Sequence, residues 1–219
     1  MAEVQSGIRH FLARPFVYDF FQHAVGAYAW RRRVLRRLVH PLLKKGDRLI
    51  DIGCGTAEIL NYLPQDITYF GFDRNQRYID AARERFSKRH AVFECESVGR
   101  GSGDKFPKFD VALAVGLIHH LDDADALAFL KDTKAVLKEN GILVLPAEPL
   151  YAPEQSKLAR YIVSKDRGQN VRDLESYLSL YRQVYEFVDF EIDRHPLHIP
   201  YTGVAVRCSA VRLPSLAES

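Results

Sequence analysis

The sequence predicts an α/β fold, a doubly wound and mostly parallel sheet with helices on both faces and an antiparallel last strand. Three observations predict it. Short apolar runs alternate with polar stretches of helical periodicity from about residue 48 to 146, the pattern of strands and helices around a parallel sheet. The first run, "RLIDI", passes straight into a glycine-rich turn, "GCGT". A later run, "FDVALAVG", is almost continuously apolar, as a strand covered on both faces should be.

The elements follow in order. "RLIDI" is the first strand; after the turn at Gly53 to Thr56 a helix runs through Leu63 and stops at Pro64. "TYFGFD" is the second strand, and a helix from about Gln76 to Arg89 follows it. "AVFECE" and "FDVALAVG" are the third and fourth strands. Asp122 or Asp123 caps a helix reaching Leu137, and "KENG" ends it, with Gly141 supplying a left-handed residue. "ILVLPAEP" is the fifth strand, closed by its two prolines. Residues 153–182 read as two helices broken by "DRGQN", and the tail as a terminal strand pair around Pro196 and Pro200. The first forty residues read as helices packed over one edge.

Composition narrows the class. At 219 residues the chain suits one domain. Hydrophobic content of 47% and charged content of 27% are those of an ordinary globular protein. No apolar run reaches the ~18 residues of a membrane span, and the first residues carry no signal-like segment, so the expected location is the cytoplasm. Cys54, Cys95 and Cys208 are far apart and lack C-x-x-C spacing, which supports neither disulfides nor a metal site. A net charge of +3 is too weak to imply nucleic acid. In "WRRRVLRRLVHPLL" the five arginines share two helical turns with apolar residues at helical spacing, which reads as an amphipathic helix with a solvated basic face ahead of an RNA or anionic-membrane patch. Oligomeric state is not written in the sequence.

"GCGTAE" begins like the dinucleotide fingerprint G-x-G-x-x-G, but Glu58 stands where the third glycine belongs. A carboxylate in the first turn of the following helix would repel a pyrophosphate, which argues against a nicotinamide oxidoreductase, the alternative enzyme class. A ligand without phosphate, with a cationic sulfonium and an ammonium, places other demands. Asp51, two residues before Gly53, offers negative charge for the amino-acid end, and Asp73, at the tip of the second strand, lies near the offset for a ribose carboxylate. Each could instead be structural, Asp51 capping a turn and Asp73 capping the next helix.

"LIDIGCGTAE", "GFD", "FDVALAVGLIHHLDD" and "LKENGILVL", in this order, resemble the successive motifs of class I S-adenosylmethionine-dependent methyltransferases, over about Pro41 to Pro146. The resemblance implies a Rossmann-like domain spanning 1–219, with a helical cap over 1–40, a cofactor-binding core over 41–150, and substrate-side helices and a strand pair over 151–219. It implies that S-adenosylmethionine is bound by Asp51, Gly53, Cys54 and Gly55, by Asp73 and Arg74 at the ribose, by Glu96 and Ser97 at the adenine, and by Val115, Gly116 and Leu117. Cys54 itself reads as a small turn residue and not as a nucleophile. The implied activity is methyl transfer to a hydroxyl or another nucleophile of a small molecule, leaving S-adenosylhomocysteine. A protein that keeps the fold and the cofactor without turnover is the third reading.

Methyl transfer needs a base only when the acceptor must lose a proton. His119 and His120 follow the fourth strand, with His120 preferred by its match to the family position, and Glu148 ends the fifth; Glu148 could also cap the helix after Pro153. Tyr18, Arg167 and Tyr201 are candidate substrate contacts. Arg167 and Arg172 could equally pair with Asp166 or Asp173. The fifth-strand neighbourhood, "LPAEPLY", lacks the asparagine-proline-proline-aromatic motif of nucleic-acid amino-group enzymes.

Overall fold

The elements run α1 (Ala27–Leu38), β1 (Arg48–Ile52), β2 (Thr68–Phe72), α2 (Gln76–Arg85), β3 (Ala91–Glu94), β4 (Phe109–Leu113), α3 (Asp123–Val136), β5 (Leu137–Tyr151), α4 (Lys157–Ser164), β6 (Arg172–Asp173), α5 (Leu174–Arg182), β7 (Phe187–Asp193) and β8 (Gly203–Ser209). They come from a computed structural model that describes residues 26–99, 105–165, 168–194 and 196–214. Seven strands lie in the order β3-β2-β1-β4-β5-β8-β7, and β6 pairs beside β5. β3, β2, β1, β4 and β5 are mutually parallel, while β8 is antiparallel to both neighbours. The predicted sheet and terminal strand pair are therefore present, and strand order reverses at β1, where such sheets bind ligands.

Alternation along the strands divides the core. In β1, Leu49 joins α1 (Val34, Leu35, Leu38) and α2 (Ile79, Ala82) on one face. Ile50 and Ile52 join α3 (Ala126, Leu130) and α5 (Tyr177, Leu178, Tyr181) on the other. A strand covered on both faces has no solvent side, which is why β1 beyond its first residue, Arg48, is apolar except for Asp51. The helix α1 packs across the sheet face, touching β5 and the segment after β1, and does not merely cover an edge.

Several sequence expectations need correction. After β1 there is no α-helix: Ala57 is left-handed (φ 54°) and Glu58–Tyr62 is a single 3₁₀ turn before Pro64. α2 ends at Arg85, four residues early. α3 is capped by Asp122, as expected, whose side chain accepts from Asp125 N at 2.9 Å. Gly141, however, lies within β5 and has no left-handed φ. Its hydrogen faces Leu137, where a Cβ would stand 2.9 Å from that side chain.

The prolines do not end β5 either. Its pairing with β8 shifts between Leu145 and Glu148, around Pro146 and Ala147, and resumes at Glu148. Proline cannot donate to the ladder, so an irregularity there is the tolerated solution. The shift has a consequence for function. Before it, Leu143 and Leu145 face the α3/α5 side; after it, Leu150 and Ala152 do. The parity changes, and Glu148 is delivered to the face it would otherwise have missed.

The basic helix is less solvated than expected. Arg31 pairs with Glu58 (3.7 Å), Arg33 with Asp193 (3.3 Å) and Arg37 with Glu191, and Trp30 Nε1 donates to Asp193 (3.0 Å). Three of the five arginines thus tie α1 to β7 and to the turn after β1. No helix among the described residues is long and apolar enough to cross a membrane.

Candidate functional site

The carboxyl end of β1 opens into the glycine turn. Gly53 (φ 79°) and Gly55 (φ 56°) are both left-handed, which is why glycine stands there. A Cβ at Gly55 would meet nothing within 4 Å, so the turn fronts open space, and one at Gly53 would meet only Leu117 Cδ1 at 3.5 Å. The Leu117 side chain, from the segment after β4, therefore lies beside the β1 turn.

Three of the turn's amides, and that of Ala57 just after it, are already used. Gly53 and Cys54 both donate to Phe72 O (2.8 and 3.0 Å), Ala57 donates to Cys54 O (2.8 Å), and Gly55 donates to Asp73 Oδ2 (2.9 Å). Asp73 Oδ1 accepts from Asn75 N (2.8 Å), and Asn75 caps α2. Asp73 thus braces the glycine turn and does not cap α2, while each carboxylate oxygen keeps capacity for a ribose hydroxyl.

Asp51 is 2% exposed and accepts a hydrogen bond from Tyr69 Oη. Burial pushes its carboxyl up to about 7; the tyrosine bond opposes this and nearby Asp73 adds to it. Burial also raises the Cys54 thiol far above its usual range, with Asp51 and Asp73 reinforcing the shift, so Cys54 is a neutral packing residue.

These observations test the site against its expected ligand. The carboxylates of Asp51 and Asp73 flank a turn in which the amides of Gly53, Cys54 and Gly55 are spent and after which no α-helix begins. A pyrophosphate would meet two carboxylates and no α-helix dipole here. A phosphate-free cation with an ammonium and ribose hydroxyls fits, as S-adenosylmethionine would. Glu58, by contrast, faces Arg31 and says less about the ligand than the sequence suggested.

Of the adenine-side residues, Glu96 forms a bidentate pair with Lys105 (2.7 Å to each oxygen) and Ser97 is exposed. Arg74 is exposed; its carbonyl accepts from Cys95 Sγ (3.7 Å). Gly116 (φ 61°), half-buried between Val115 and Leu117, lets the chain turn beneath Ala147, whose carbonyl would lie 3.3 Å from a Cβ.

After β4 a 3₁₀ turn, Ile118–His120, carries the two histidines. Glu148, fully buried, accepts from Leu117 N (2.9 Å), Ile118 N (3.1 Å) and His119 N (3.1 Å), and from His119 Nδ1 (2.8 Å). It caps this turn and not the helix after Pro153, which Ser156 caps. A buried carboxylate accepting from Nδ1 fixes the ring as the Nδ1–H tautomer and leaves Nε2 with the lone pair. His119 is 6% exposed; His120 is half-buried and its ring lies 4.2 Å from that of His119. Glu148 thus orients the His119 ring. Doublet spacing could not have shown this contact, because it follows from the β5 irregularity.

Tyr201 lies half-buried beside Thr202, whose carbonyl accepts from Leu150 N at 3.0 Å. Tyr18 and Arg167, like Asp166, lie outside the described residues. Arg172 pairs with Asp123 (2.7 Å), an acid that the sequence did not single out for it. Among the described residues no group of three or more His, Cys, Asp or Glu could hold a metal.

Residues 50–143 match the family model described as a methyltransferase domain. The ubiquinone biosynthesis O-methyltransferase of Rhodopseudomonas palustris (strain TIE-1) is 30% identical over 102 residues, 46% of this chain and 40% of that protein. The chain thus spans about two fifths of that relative's length. Among solved structures, the plantazolicin methyltransferase in complex with a substrate analogue and S-adenosylhomocysteine aligns with a TM-score of 0.66 at 12% identity, covering 93% of this chain and 94% of that one. A [4+2]-cyclase aligns at 0.63 with 16% identity, covering 85% and 82%. At such identities the likeness is one of fold.

Proposed function

We propose that this chain, whose residues 50–143 match a methyltransferase-domain family model, is a class I S-adenosylmethionine-dependent methyltransferase that methylates a hydroxyl group of a small molecule, with His119 as general base and Glu148 as its orienting partner. The observation that carries this reading is the buried Glu148–His119 pair on a turn preceded by Leu117, whose side chain lies beside the glycine turn. S-adenosylmethionine supplies, when bound, an electrophilic methyl group on a sulfonium. The protein's own residues do the rest. Asp51 and Asp73 hold the ammonium and the ribose hydroxyls. Glu148 keeps the His119 Nδ1 protonated, so Nε2 takes the acceptor's proton as the new oxygen–carbon bond forms and the carbon–sulfur bond breaks. Positioning and exclusion of water supply the remaining acceleration. Hydroxyl as the acceptor is supported by the O-methyltransferase name of the relative.

The cyclase of the same fold favours a second reading, cofactor binding without methyl transfer. The two separate cleanly. Calorimetry with S-adenosylhomocysteine should show one site, and a panel of phenols, catechols and alcohols should include one that is methylated. His119→Ala should lower kcat on that acceptor by on the order of 100-fold and leave S-adenosylhomocysteine affinity unchanged. Undiminished turnover in His119→Ala removes the general base, and binding with no turnover on any acceptor favours the second reading.

A further inference from the structure

We propose that Arg172 is a positioning residue for His119, holding from the opposite end the turn that Glu148 holds from the front. This rests on reading Glu148 and His119 as the general-base pair. A short 3₁₀ turn leaves amides unpaired at its start and carbonyls at its finish. Glu148 takes the amides of Leu117, Ile118 and His119. The carbonyls are taken by the segment 168–172. Asn170 N donates to His119 O (2.9 Å), Arg172 Nη1 to Ile118 O (3.3 Å), and Arg172 Nη2 to Leu121 O (2.8 Å).

Arg172 is placed for this task and not for a surface ion pair. Its side chain is 9% exposed while its acidic partner Asp123 is 76% exposed, so that pair contributes little and the carbonyl contacts account for its burial. Nη1 also binds Asn170 O (2.9 Å), which locks the segment to itself. Only a planar fork with five donors reaches this many acceptors at once. The guanidinium lies over the Tyr177 ring (5.7 Å), and Tyr177 Oη donates to Pro149 O (3.1 Å), next to Glu148. Glu148, the histidine turn, Arg172 and Tyr177 therefore form a closed ring of contacts. Gly168 completes the fit: a Cβ there would stand 2.0 Å from His119 Cδ2, so the segment lies flush against the ring edge. The residue couples the region between α4 and α5 to the tautomer of the base.

The test reads the histidine directly. In protein labelled with ¹⁵N-histidine, saturated with S-adenosylhomocysteine and held near pH ~8.5, about two units above an ordinary histidine pKa, long-range ¹H–¹⁵N spectra assign the His119 tautomer. Wild type should show Nδ1–H alone. Arg172→Lys and Arg172→Ala should each show a mixture of both tautomers, larger in the alanine variant, with S-adenosylhomocysteine affinity within about 2-fold of wild type. Retention of pure Nδ1–H in Arg172→Lys overturns the proposal even if Arg172→Ala does not fold. Failure of the underlying reading appears elsewhere, as undiminished methyl transfer by His119→Ala, and leaves the tautomer result standing.

Discussion

Asp51 and Glu148 are both buried carboxylates at the carboxyl ends of strands in one sheet, yet Asp51 accepts one hydroxyl and Glu148 accepts four N–H groups. The difference lies in what the backbone offers. β1 ends in a turn that spends its amides on Phe72, Cys54 and Asp73, so none reaches Asp51. β5 delivers Glu148 to the open start of a 3₁₀ turn, where three amides converge. A carboxylate left short of donors keeps capacity for a cation, the role proposed for Asp51; one that already accepts four N–H groups holds its surroundings in place, the role proposed for Glu148.

The largest effect should come from Glu148. Glu148→Ala strands three amides and a ring N–H in a dry interior and should destabilise the protein by about 4 kcal/mol, read from the denaturant midpoint at unchanged slope. Glu148→Gln keeps one acceptor oxygen and should lose roughly half as much. If Glu148→Ala unfolds at the wild-type midpoint, the contrast between the two carboxylates is broken.

Asp51→Asn should move stability the other way, and only at higher pH. The folded carboxyl titrates near 7 against an unfolded value of 3.8, so the folded state binds the extra proton and stability falls as pH rises between them. Below pH ~4 both states are protonated and nothing is lost; above 7 the full cost, on the order of a few kcal/mol, is present. The asparagine still accepts from Tyr69 and carries no charge, so its melting temperature should exceed wild type at pH 8 and match it near pH 4. S-adenosylmethionine should bind it on the order of tenfold more weakly, since one charged hydrogen bond to the ammonium is lost. A variant that gains stability without losing affinity would place the ammonium elsewhere. Binding to wild type at pH 6 should also release protons, seen as a dependence of the calorimetric heat on the buffer's ionisation enthalpy.

Much of this was legible in the sequence because it depends on local pattern. Apolar runs gave the strands, Asp122 marked the start of α3, and Gly53 and Gly55 were visible as a tight turn after β1 with Asp51 and Asp73 beside it. What escaped depends on partners distant in sequence. The turn after β1 shortened to 3₁₀ because Ala57 goes left-handed and Pro64 closes the run. That Glu148 reaches His119 was not visible in the chain, because Glu148 changes face at the Pro146–Ala147 irregularity, which the β8 pairing reveals. Arg172 reads as a surface charge between acids in the chain, and its partners are carbonyls about fifty residues away.

Glu58 gives the smallest and sharpest test of the contrast, because it lies between the two extremes. Its Oε2 is buried without a hydrogen bond, and its nearest charge is Arg31 at 3.7 Å, with side chains 18% and 22% exposed. A pair that long and that accessible is worth no more than ~1 kcal/mol. Removing the carboxylate also relieves an unsatisfied oxygen, which offsets part of that loss. Glu58→Gln should therefore change stability by less than about 1 kcal/mol and leave S-adenosylhomocysteine affinity within about 2-fold, whereas a tenfold loss would make Glu58 a ligand contact like Asp51. Arg31→Ala should likewise leave S-adenosylhomocysteine affinity within about 2-fold, since it removes the other half of the bond between α1 and the segment after the glycine turn. A tenfold loss in that variant would mean that the Glu58 carboxylate, once uncovered, disturbs the acids around the glycine turn, and would move Glu58 from the structural side of the comparison toward Asp51.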